Sequence, residues 1–346
     1  MSQPDQTLDP RTVLERIALH LEAAGEPGYR VRAFRRAAHS LRDQSRAQLE
    51  ELAAKSRLKE LPYVGDVTAS IIAEVLAGKV PEYLTKVAVE RPLPDLDTNV
   101  AALLAALRGD CHTHSDWSDG GNTIEEMAAT AIELGREYMV LTDHSPRLTV
   151  ANGLSAERLM QQLDIVDALN RELAPFRILT GIEVDILDEG ELDQTDELLS
   201  RLDVVVGSAH SKLRMEHDAM TRRLVAAVSN PHLDILGHCT GRLVVGRGRP
   251  ESTFDPHAVF EACARHDKAV EINSRPERLD PPERLMEIAR DLGCRFAIDS
   301  DAHAPGQLSW LRYGCEKAVN AGLGVDRIVN TMAPDDLLAW AKTHSR

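Results

Sequence analysis

Seven short apolar runs alternate with helix-patterned segments from residue 109 onwards, and this alternation is the strongest constraint on the fold. A first run ends near Cys111, and the others span residues 138–141, 178–182, 204–206, 235–236, 269–272 and 296–298. The intervening segments, such as residues 156–173, repeat their apolar residues at the spacing of an amphipathic helix. Strand–helix alternation over about 240 residues predicts a parallel sheet with right-handed crossovers, either open or closed into a barrel.

Polar, ionisable residues follow almost every apolar run. In chain order they are His112, His114 and Asp119; Asp143 and His144; Glu183 and Asp185; His210; His238; Glu271 and Asn273; and Asp299, Asp301 and His303. The functional groups of α/β barrels cluster at the carboxyl ends of the strands. The pattern therefore favours a barrel of seven strands that carries these side chains on one rim.

Six of the 13 histidines belong to this strand-end set. A single histidine is more often a core or surface residue, but six at successive strand ends indicate a metal site. An extended backbone puts His112 and His114 on the same face of their strand, and the same holds for Asp301 and His303. Imidazole and carboxylate ligands together suit Zn, Mn or Fe. Six histidines with several carboxylates exceed one tetrahedral site, so we expect two or three divalent ions.

Such a cluster of ions predicts phosphoester hydrolysis. Two ions about 3.5–4 Å apart stabilise both the attacking and the leaving oxygen. They also lower the pKa of a water molecule between them, so a separate side-chain base is not needed. The predicted chemistry is therefore hydrolysis of a phosphoester by metal-bound hydroxide.

Residues 10–88 show a different pattern, because their apolar residues recur at helical spacing throughout. A turn at Leu61-Pro62-Tyr63-Val64-Gly65-Asp66 separates two of the predicted helices. The proline-rich, polar stretch at 90–95 predicts a linker. We therefore predict a small helical domain at 1–89, a linker at 90–108 and the barrel domain at 109–346.

The net charge of −15 belongs to the predicted barrel domain, because residues 1–95 hold 14 basic and 14 acidic residues. An acidic domain does not attract nucleic acid by itself, so DNA binding would need the amino-terminal domain or bound cations. Five widely spaced cysteines without a Cys-x-x-Cys pair argue against a disulfide framework and a thiolate zinc site. No stretch reaches the roughly 18 apolar residues of a membrane span, and the first residues show no apolar signal-like run. We expect a cytoplasmic protein without membrane contact.

The strand-end motifs closely resemble those of the polymerase-and-histidinol-phosphatase (PHP) family. The matching motifs are Asp110-Cys111-His112-Thr113-His114, Thr142-Asp143-His144, Gly181-Ile182-Glu183, Ser208-Ala209-His210, Gly237-His238-Cys239, Glu271-Ile272-Asn273 and Asp299-Ser300-Asp301-Ala302-His303. They fall in chain order and cover the whole carboxyl-terminal domain. The resemblance implies a distorted seven-stranded barrel and a metal-dependent phosphoester hydrolase.

The resemblance also implies nine ligands for three ions, Mn or Zn with Fe as an alternative. The first ion would be held by His112, His114, Glu183 and Asp301, the second by Glu183, His210 and His238, and the third by Asp119, His144 and His303. Asp119 stands where some relatives have histidine, and both residue types bind metal. The catalytic residues implied are His112, His114, Glu183, His210, His238 and Asp301.

Within that family, the barrel looks most like the PHP domain that ends bacterial family X DNA polymerases. Residues 10–88 resemble the small amino-terminal helix-hairpin-helix domain of the same polymerases, whereas their palm and fingers are missing here. Tyr63 stands where the first glycine of the hairpin is usual. Arg30, Arg32, Arg35 and Arg36 cluster at the start of one predicted helix, where they form either a contact with DNA phosphates or a solvated helix face. The hairpin that follows favours contact with DNA, and its Gly65 is a further candidate, because such a hairpin binds phosphate through backbone N–H groups.

Three functions are consistent with these features. The first is a DNA-directed phosphodiesterase, a 3′–5′ exonuclease or 3′-end-processing enzyme of DNA repair. The second is a small-molecule phosphomonoesterase of the histidinol-phosphatase kind, and the third is a non-catalytic DNA-binding accessory protein. Five cations stand near the predicted rim, and one or two of them are expected to hold the substrate phosphate while the rest form structural pairs: Arg147, Lys212, Arg242, Arg275 and Arg278. Of these, Lys212, Arg242 and Arg278 are the favoured candidates, because they follow ligand-bearing strands.

Overall fold

A computed structural model of the protein describes residues 8–23, 26, 28–42, 44–90 and 96–344. The chain divides into two compact units, Met1–Asp95 and Leu96–Arg346. A helix, Thr98–Ala106, lies inside the stretch predicted as a linker and belongs to the second unit. The limits 1–89, 90–108 and 109–346 stay predictions, and the helix shows that part of the predicted linker is ordered.

The first unit is helical in its described part, and its helices are α1 (Pro10–Ala23), α2 (Gly28–Ser40), α3 (Arg46–Ala54), α4 (Asp66–Leu76) and α5 (Glu82–Glu90). Local sequence signals set some of these limits. Ser45 caps α3 through a reciprocal pair of hydrogen bonds with Gln48. The apolar faces of the helices meet in one core that includes Leu14, Ile17, Phe34 and Ile72.

The second unit alternates seven strands with helices after its first helix. The strands are β1 (Gly109–Thr113), β2 (Tyr138–Leu141), β3 (Arg177–Asp185), β4 (Val204–Ser208), β5 (Ile235–Leu236), β6 (Ala269–Asn273) and β7 (Arg295–Asp299). The helices are α6 (Thr98–Ala106), α7 (Ile124–Glu133), α8 (Ala156–Leu173), α9 (Asp196–Leu199), α10 (His217–Val228), α11 (Pro256–Arg265), α12 (Glu283–Asp291), α13 (Leu311–Asn320) and α14 (Pro334–Lys342).

All neighbouring strands pair in parallel, in the order β1 to β7. Contacts between the two ends of this sheet nearly close it into a barrel, because Thr113 bridges Ala302 and the His114 N–H donates to the Ala302 carbonyl. The Cys111 N–H also donates to the Asp299 carboxylate across the same seam. The predicted fold, a seven-stranded α/β barrel after an all-helical region, is confirmed.

The barrel interior has an apolar lower half and a polar rim. Inward-facing residues such as Val140, Leu179 and Val206 pack together and are capped by Leu337 and Trp340 of α14. This end of the barrel is therefore closed by the last helix, and the opposite end, where the strands finish, is left for the polar side chains. Within the described residues, no helix combines the length and apolar character that crossing a membrane requires.

Candidate metal centre

The nine predicted ligands come together at the carboxyl-terminal rim of the barrel. Glu183 lies near the end of β3, and the other side chains are placed at the ends of strands or in the loops that follow them. The register of β1 and β2 shifts between Asp110 and Thr113, so β1 is irregular where His112 turns towards the rim. Strand geometry therefore concentrates residues that are far apart in sequence.

Within the described residues, three groups of side chains could each hold a metal ion. In each group, the ligand atoms lie within 4.8 Å of one another. The groups are His112, His114 and Asp301; His114, Asp119, His144 and His303; and His144, Glu183 and His210. Because His114 and His144 each belong to two groups, the three sites form one continuous cluster. The grouping differs from the predicted one at these two residues, at His238, which is in none of the groups, and at Glu183, which is in one group instead of two. The assignment of each ligand to an ion therefore stays a prediction.

Glu183 is the centre of the cluster, and histidines approach both of its carboxylate oxygens. Its Oε1 lies 2.9 Å from the Nε2 of His238 and 3.2 Å from the Nε2 of His210. Its Oε2 lies 2.8 Å from the Nδ1 of His144 and 3.4 Å from the Nε2 of His112. This arrangement fits a bridging carboxylate, which the resemblance implies for Glu183.

The chemistry of this donor set fits divalent cations, because several buried atoms lack hydrogen bonds. Among the described residues, no hydrogen-bond partner is found for the Nε2 of His112, either ring nitrogen of His114, the Nδ1 of His144 or the Oε2 of Glu183. The 2.8 Å contact between His144 and Glu183 is short but lacks hydrogen-bond geometry. Orphaned polar atoms in a buried site are costly, and a cation shared by these lone pairs removes that cost.

Charges within the cluster shift the pKa values in opposite directions. Burial raises the pKa of Glu183, but its histidine neighbours, His210 first, outweigh this and hold that pKa well below its usual value. Burial likewise opposes protonation of His144, yet the carboxylates of Glu183 and Asp119 raise its pKa to about 10. Burial and its imidazole neighbours together hold the pKa of His114 well below its usual value. Cations would take the place of protons at such imidazoles.

A second layer of carboxylates orients the histidines. Glu271 places its Oε1 2.5 Å from the Nδ1 of His112, which leaves the Nε2 of that ring facing the cluster. Asp185 accepts a hydrogen bond from the backbone N–H of His210, and its carboxylate lies 3.5 Å from the Nδ1 of that ring without hydrogen-bond geometry. Burial, with Glu271 and Asp110 nearby, raises the pKa of Asp299 well above its usual value. Glu271 and Asp185 contact proposed ligands, and Asp299 accepts from the backbone N–H of Cys111 beside His112; none of the three belongs to the three groups.

Asp143 and Asp301 show why a strand-end position alone does not define a role. Asp143 accepts hydrogen bonds from the Ser115 backbone and from the side chains of Ser118 and Gln162, so it holds the loop after β1. Asp301 adopts a left-handed backbone conformation, with φ of 52°, which costs energy for a residue with a side chain. This conformation aims its carboxylate at His114, Arg275 and Arg278.

A cavity of about 500 Å³ opens onto the cluster. Its lining includes seven of the nine ligand candidates together with the arginines Arg249, Arg275 and Arg278. Arg278 lies 3.2 Å from Asp301, and its Nη1 is buried without a partner among the described residues. Arg275 lies 3.6 Å from the same carboxylate. 

Only one of the three predicted phosphate-binding residues lines that cavity. Arg278 does, whereas Arg242 donates to the backbone carbonyls of Arg278 and Leu279, and exposed Lys212 pairs with Asp188. The guanidinium of Arg242 supports the loop instead of facing a substrate. We therefore revise the phosphate-binding candidates to Arg278, Arg275 and Arg249.

The predicted DNA-binding residues differ in how they are engaged. Arg32 and Arg36 of α2 are exposed, and the guanidinium of Arg36 lies 5.3 Å from the centre of the Tyr63 ring. Arg30 is half-buried and bonds to Glu26 and Tyr83, and Arg35 is also half-buried and engaged.

The hairpin before α4 keeps its shape without the usual first glycine. Tyr63 adopts the left-handed conformation, with φ of 60°, that a glycine takes more readily. Gly65 precedes α4 and donates its N–H to the Thr68 hydroxyl. An added side-chain carbon at Gly65 would meet nothing within 4 Å, so the backbone there is open to a ligand. The role of Gly65 and of the four arginines in DNA binding stays a prediction.

Sequence reasoning missed some residues of the site. It placed Glu271 and Asp185 at strand ends without a role, and their sequence position was the available signal. Arg275 was among the rim arginines considered from the sequence but was not a favoured candidate, although it follows β6 by only two residues. Arg249 could not be found in this way, because it belongs to a glycine-containing hairpin well after β5 that folds back over the cavity.

Two family models match the chain. The PHP domain model matches residues 110–275, and a helix-hairpin-helix domain model matches residues 9–80. The DNA polymerase/3′-5′ exonuclease PolX of Bacillus subtilis is 40% identical over 239 residues, which are 69% of this chain and 42% of that protein. The chain thus spans less than half the length of this polymerase relative.

Shorter proteins match the chain as well. A protein named "Probable phosphatase" from Thermoanaerobacter is 30% identical over 233 residues, which are 64% of this chain and 89% of that protein. Among solved structures, histidinol phosphate phosphatase from Lactococcus lactis, complexed with Zn, L-histidinol and phosphate, has 18% identity and a TM-score of 0.45. That alignment covers 63% of this chain and 95% of the phosphatase.

Proposed function

Because the chain belongs to the PHP family of metal-dependent phosphoester hydrolases and carries a helix-hairpin-helix domain before the barrel, we propose that it is a DNA-directed phosphodiesterase. The proposed reaction is removal of nucleotides from the 3′ ends of DNA, as a 3′–5′ exonuclease or as a 3′-end-processing enzyme of repair. The proposal is carried by two features of one chain. Nine ligand-competent side chains lie together, eight of them in the three groups and His238 beside Glu183, and the amino-terminal domain has exposed arginines.

The proposed site divides its work between ions and side chains. Two or three divalent ions are proposed, either Mn or Zn, with Fe as an alternative. When bound, they would supply Lewis-acid activation of the phosphoryl group and of water. His112, His114, Asp119, His144, Glu183, His210, His238, Asp301 and His303 are the proposed ligands, and all nine lie on one rim. Glu271 positions His112 by holding its Nδ1.

Arginines of the cavity are proposed to hold the substrate phosphate. Arg278 and Arg275 flank Asp301, so their charges lie beside the ligand cluster. A guanidinium binds two phosphoryl oxygens at once, which fixes the orientation of the phosphorus relative to the ions. Asp301 in turn holds both guanidinium groups in place.

The amino-terminal unit is proposed to supply affinity for DNA. The barrel unit carries the net negative charge, and Arg32 and Arg36 are exposed cations of a neutral unit. Removing two phosphate contacts should weaken DNA binding and reduce the slope of log affinity against log salt by roughly two. The full-length double variant Arg32→Ala/Arg36→Ala tests this by fluorescence anisotropy, with Arg171→Ala/Arg222→Ala as the charge-matched control in the barrel unit. Equal salt slopes for both variants would contradict a role of α2 in DNA binding.

A phosphomonoesterase acting on a small molecule is the second candidate. Its support is the similarity to a probable phosphatase of which this chain covers 89%, together with the acidic barrel. The non-catalytic alternative is set aside, because the chain is a member of a hydrolase family.

One comparison of substrates separates the two candidates. The purified protein is incubated with Mn²⁺ or Zn²⁺ on 3′-labelled single-stranded and gapped DNA, and in parallel on histidinol phosphate. We expect release of mononucleotides from DNA and little release of phosphate from histidinol phosphate. The opposite result would replace the first candidate by the second. Activity that persists in Glu183→Gln would refute the proposed site for either substrate.

A further inference from the structure

Two loops present aliphatic side chains at the mouth of the metal cavity. One is the turn Thr149–Ala151, where the Val150 side chain is 93% exposed, and the other is the hairpin around Val245, which is 58% exposed. Both valines line the same cavity as Arg275 and Arg278. Isolated exposed apolar residues are common on protein surfaces, but these two belong to separate loops that meet at one site.

The hairpin that carries Val245 is built to hold its position. Leu243 and Arg249 pair as an antiparallel bridge, and Gly246 and Gly248 take the left-handed conformations that the tight turn requires. The Val244 N–H donates to the Glu277 carbonyl, and the Arg249 guanidinium donates to the Gly241 carbonyl. The exposure of Val245 is thus a property of a fixed hairpin.

The cavity consequently has two chemically distinct regions. Arg275, Arg278 and the ligand cluster suit a phosphate, and the same lining has four aliphatic side chains, from Leu148, Val150, Leu243 and Val245. A nucleotide joins the same two parts in one molecule, an anionic phosphate and a flat base with apolar faces. Bases packed against apolar side chains are a common way of holding a nucleotide in an enzyme pocket. A cavity of about 500 Å³ is in the size range of pockets for small ligands.

We propose that Val150 and Val245 form a base-binding subsite, in which the nucleobase next to the reacting phosphate packs between the two loops. This inference rests on the proposed function and names its substrate class as nucleotides and 3′ nucleotide ends of DNA. Aliphatic side chains accept any base face and offer no hydrogen bonds that distinguish one base from another. The subsite therefore predicts hydrolysis with little preference for sequence.

Binding of two ligands that differ in the base tests the subsite without measuring turnover. The Mn²⁺-loaded full chain is titrated by calorimetry with deoxyadenosine 5′-monophosphate and with 2-deoxyribose 5-phosphate. We expect the nucleotide to bind about tenfold more tightly, and the ratio to fall to about twofold in Val150→Ser/Val245→Ser. Val244→Ser is the matched control, because Val244 is an exposed valine of the same hairpin that does not line the cavity.

The outcomes separate this inference from the proposed function. Equal binding of the two ligands by the unchanged protein, or an unchanged ratio in the double variant, would overturn the subsite. A ratio that falls equally in Val244→Ser would also overturn it, because the effect would then belong to the hairpin and not to the cavity. A base-dependent ratio together with absent DNA hydrolysis would support the subsite and refute the DNA-directed activity.

Discussion

The two ends of the barrel both bury histidines beside carboxylates, yet the two sets differ in their hydrogen bonding. At the closed end, His344 has its Nδ1 2.6 Å from Asp234 and its Nε2 3.2 Å from the Asp267 carbonyl. At the rim, His114 has no hydrogen bond at either ring nitrogen among the described residues. A buried histidine with both nitrogens engaged stabilises the fold, whereas one with orphaned nitrogens is a candidate ligand.

Hydrogen bonding distinguishes the candidate ligands at the rim from the structural histidine at the closed end. Proximity of histidine to carboxylate is common to both ends, so it does not by itself indicate a metal site. The unmet hydrogen-bonding capacity of several atoms that face one point is the feature found at the rim. Substitutions at the two ends should therefore have opposite consequences for activity and stability.

The largest effect is expected for Glu183→Gln at the rim. The amide keeps the size of the side chain but removes the charge that four histidines surround. We expect phosphoester hydrolysis to fall by about 10³-fold, roughly 4 kcal/mol of transition-state stabilisation. The metal-free protein should also lose some stability, because the carboxylate that the histidines keep ionised is absent. A large loss of stability with retained activity would reverse the contrast between the two ends.

A substitution at the closed end should do the reverse. His344→Ala leaves Asp234 buried without its partner, and breaking a buried pair of this kind costs roughly 3 kcal/mol. We expect a lower midpoint of urea unfolding and, at a temperature where the variant is folded, hydrolysis within about twofold of the unchanged protein. His217→Ala, a change at an exposed histidine, is the control for loss of the ring alone. A variant with normal stability would show that the closed end does not depend on this pair.

Metal removal should act on the rim only. A ligand present at about 100 times its dissociation constant stabilises a protein by about 2.7 kcal/mol. Chelation should therefore lower the melting temperature of the unchanged protein by several degrees, and readdition of Mn²⁺ or Zn²⁺ should restore it. We expect the difference in melting temperature between the metal-loaded and the chelated protein to vanish in Glu183→Gln and to persist in His344→Ala. A chelation effect that survives in Glu183→Gln would locate the stabilising ions elsewhere.

The smallest effect is expected for Lys268, a buried lysine at the closed end whose charge is disfavoured by burial. It is 2% exposed, and burial lowers its pKa from the usual 10.5 to about 8. Between these pH values the unfolded chain binds more protons than the folded one, so stability rises from pH 8 to pH 10.5. Lys268→Met should lack this rise and be more stable than the unchanged protein at pH 7.

Urea unfolding across that pH range checks the result for Lys268. Lys342→Met provides the control, because Lys342 is an exposed lysine of α14. The same pH dependence in Lys268→Met and in the unchanged protein would show that Lys268 is not the group that titrates.

Local sequence patterns were sufficient for much of the fold. The run at 138–141 and the helix at 156–173 coincide with β2 and α8, because periodicity and flanking polar residues act over a few neighbouring positions. β3 is longer than predicted and ends at Asp185, since its last residues are polar and buried by the cluster. Helix α6 was not predicted, because its residues follow a proline-rich stretch that is typical of a linker.

What the sequence determined by itself was the order of elements and the chemical kinds of side chain at each strand end. His112, Glu183 and Asp301 could be chosen as candidates because a parallel barrel sends every strand end to one rim. Only the tertiary structure decided that Glu271 holds His112, that Arg242 supports a loop, and that Arg249 reaches the cavity. These outcomes depend on contacts between residues far apart in the chain, such as the 159 positions between His112 and Glu271, and no local pattern encodes them.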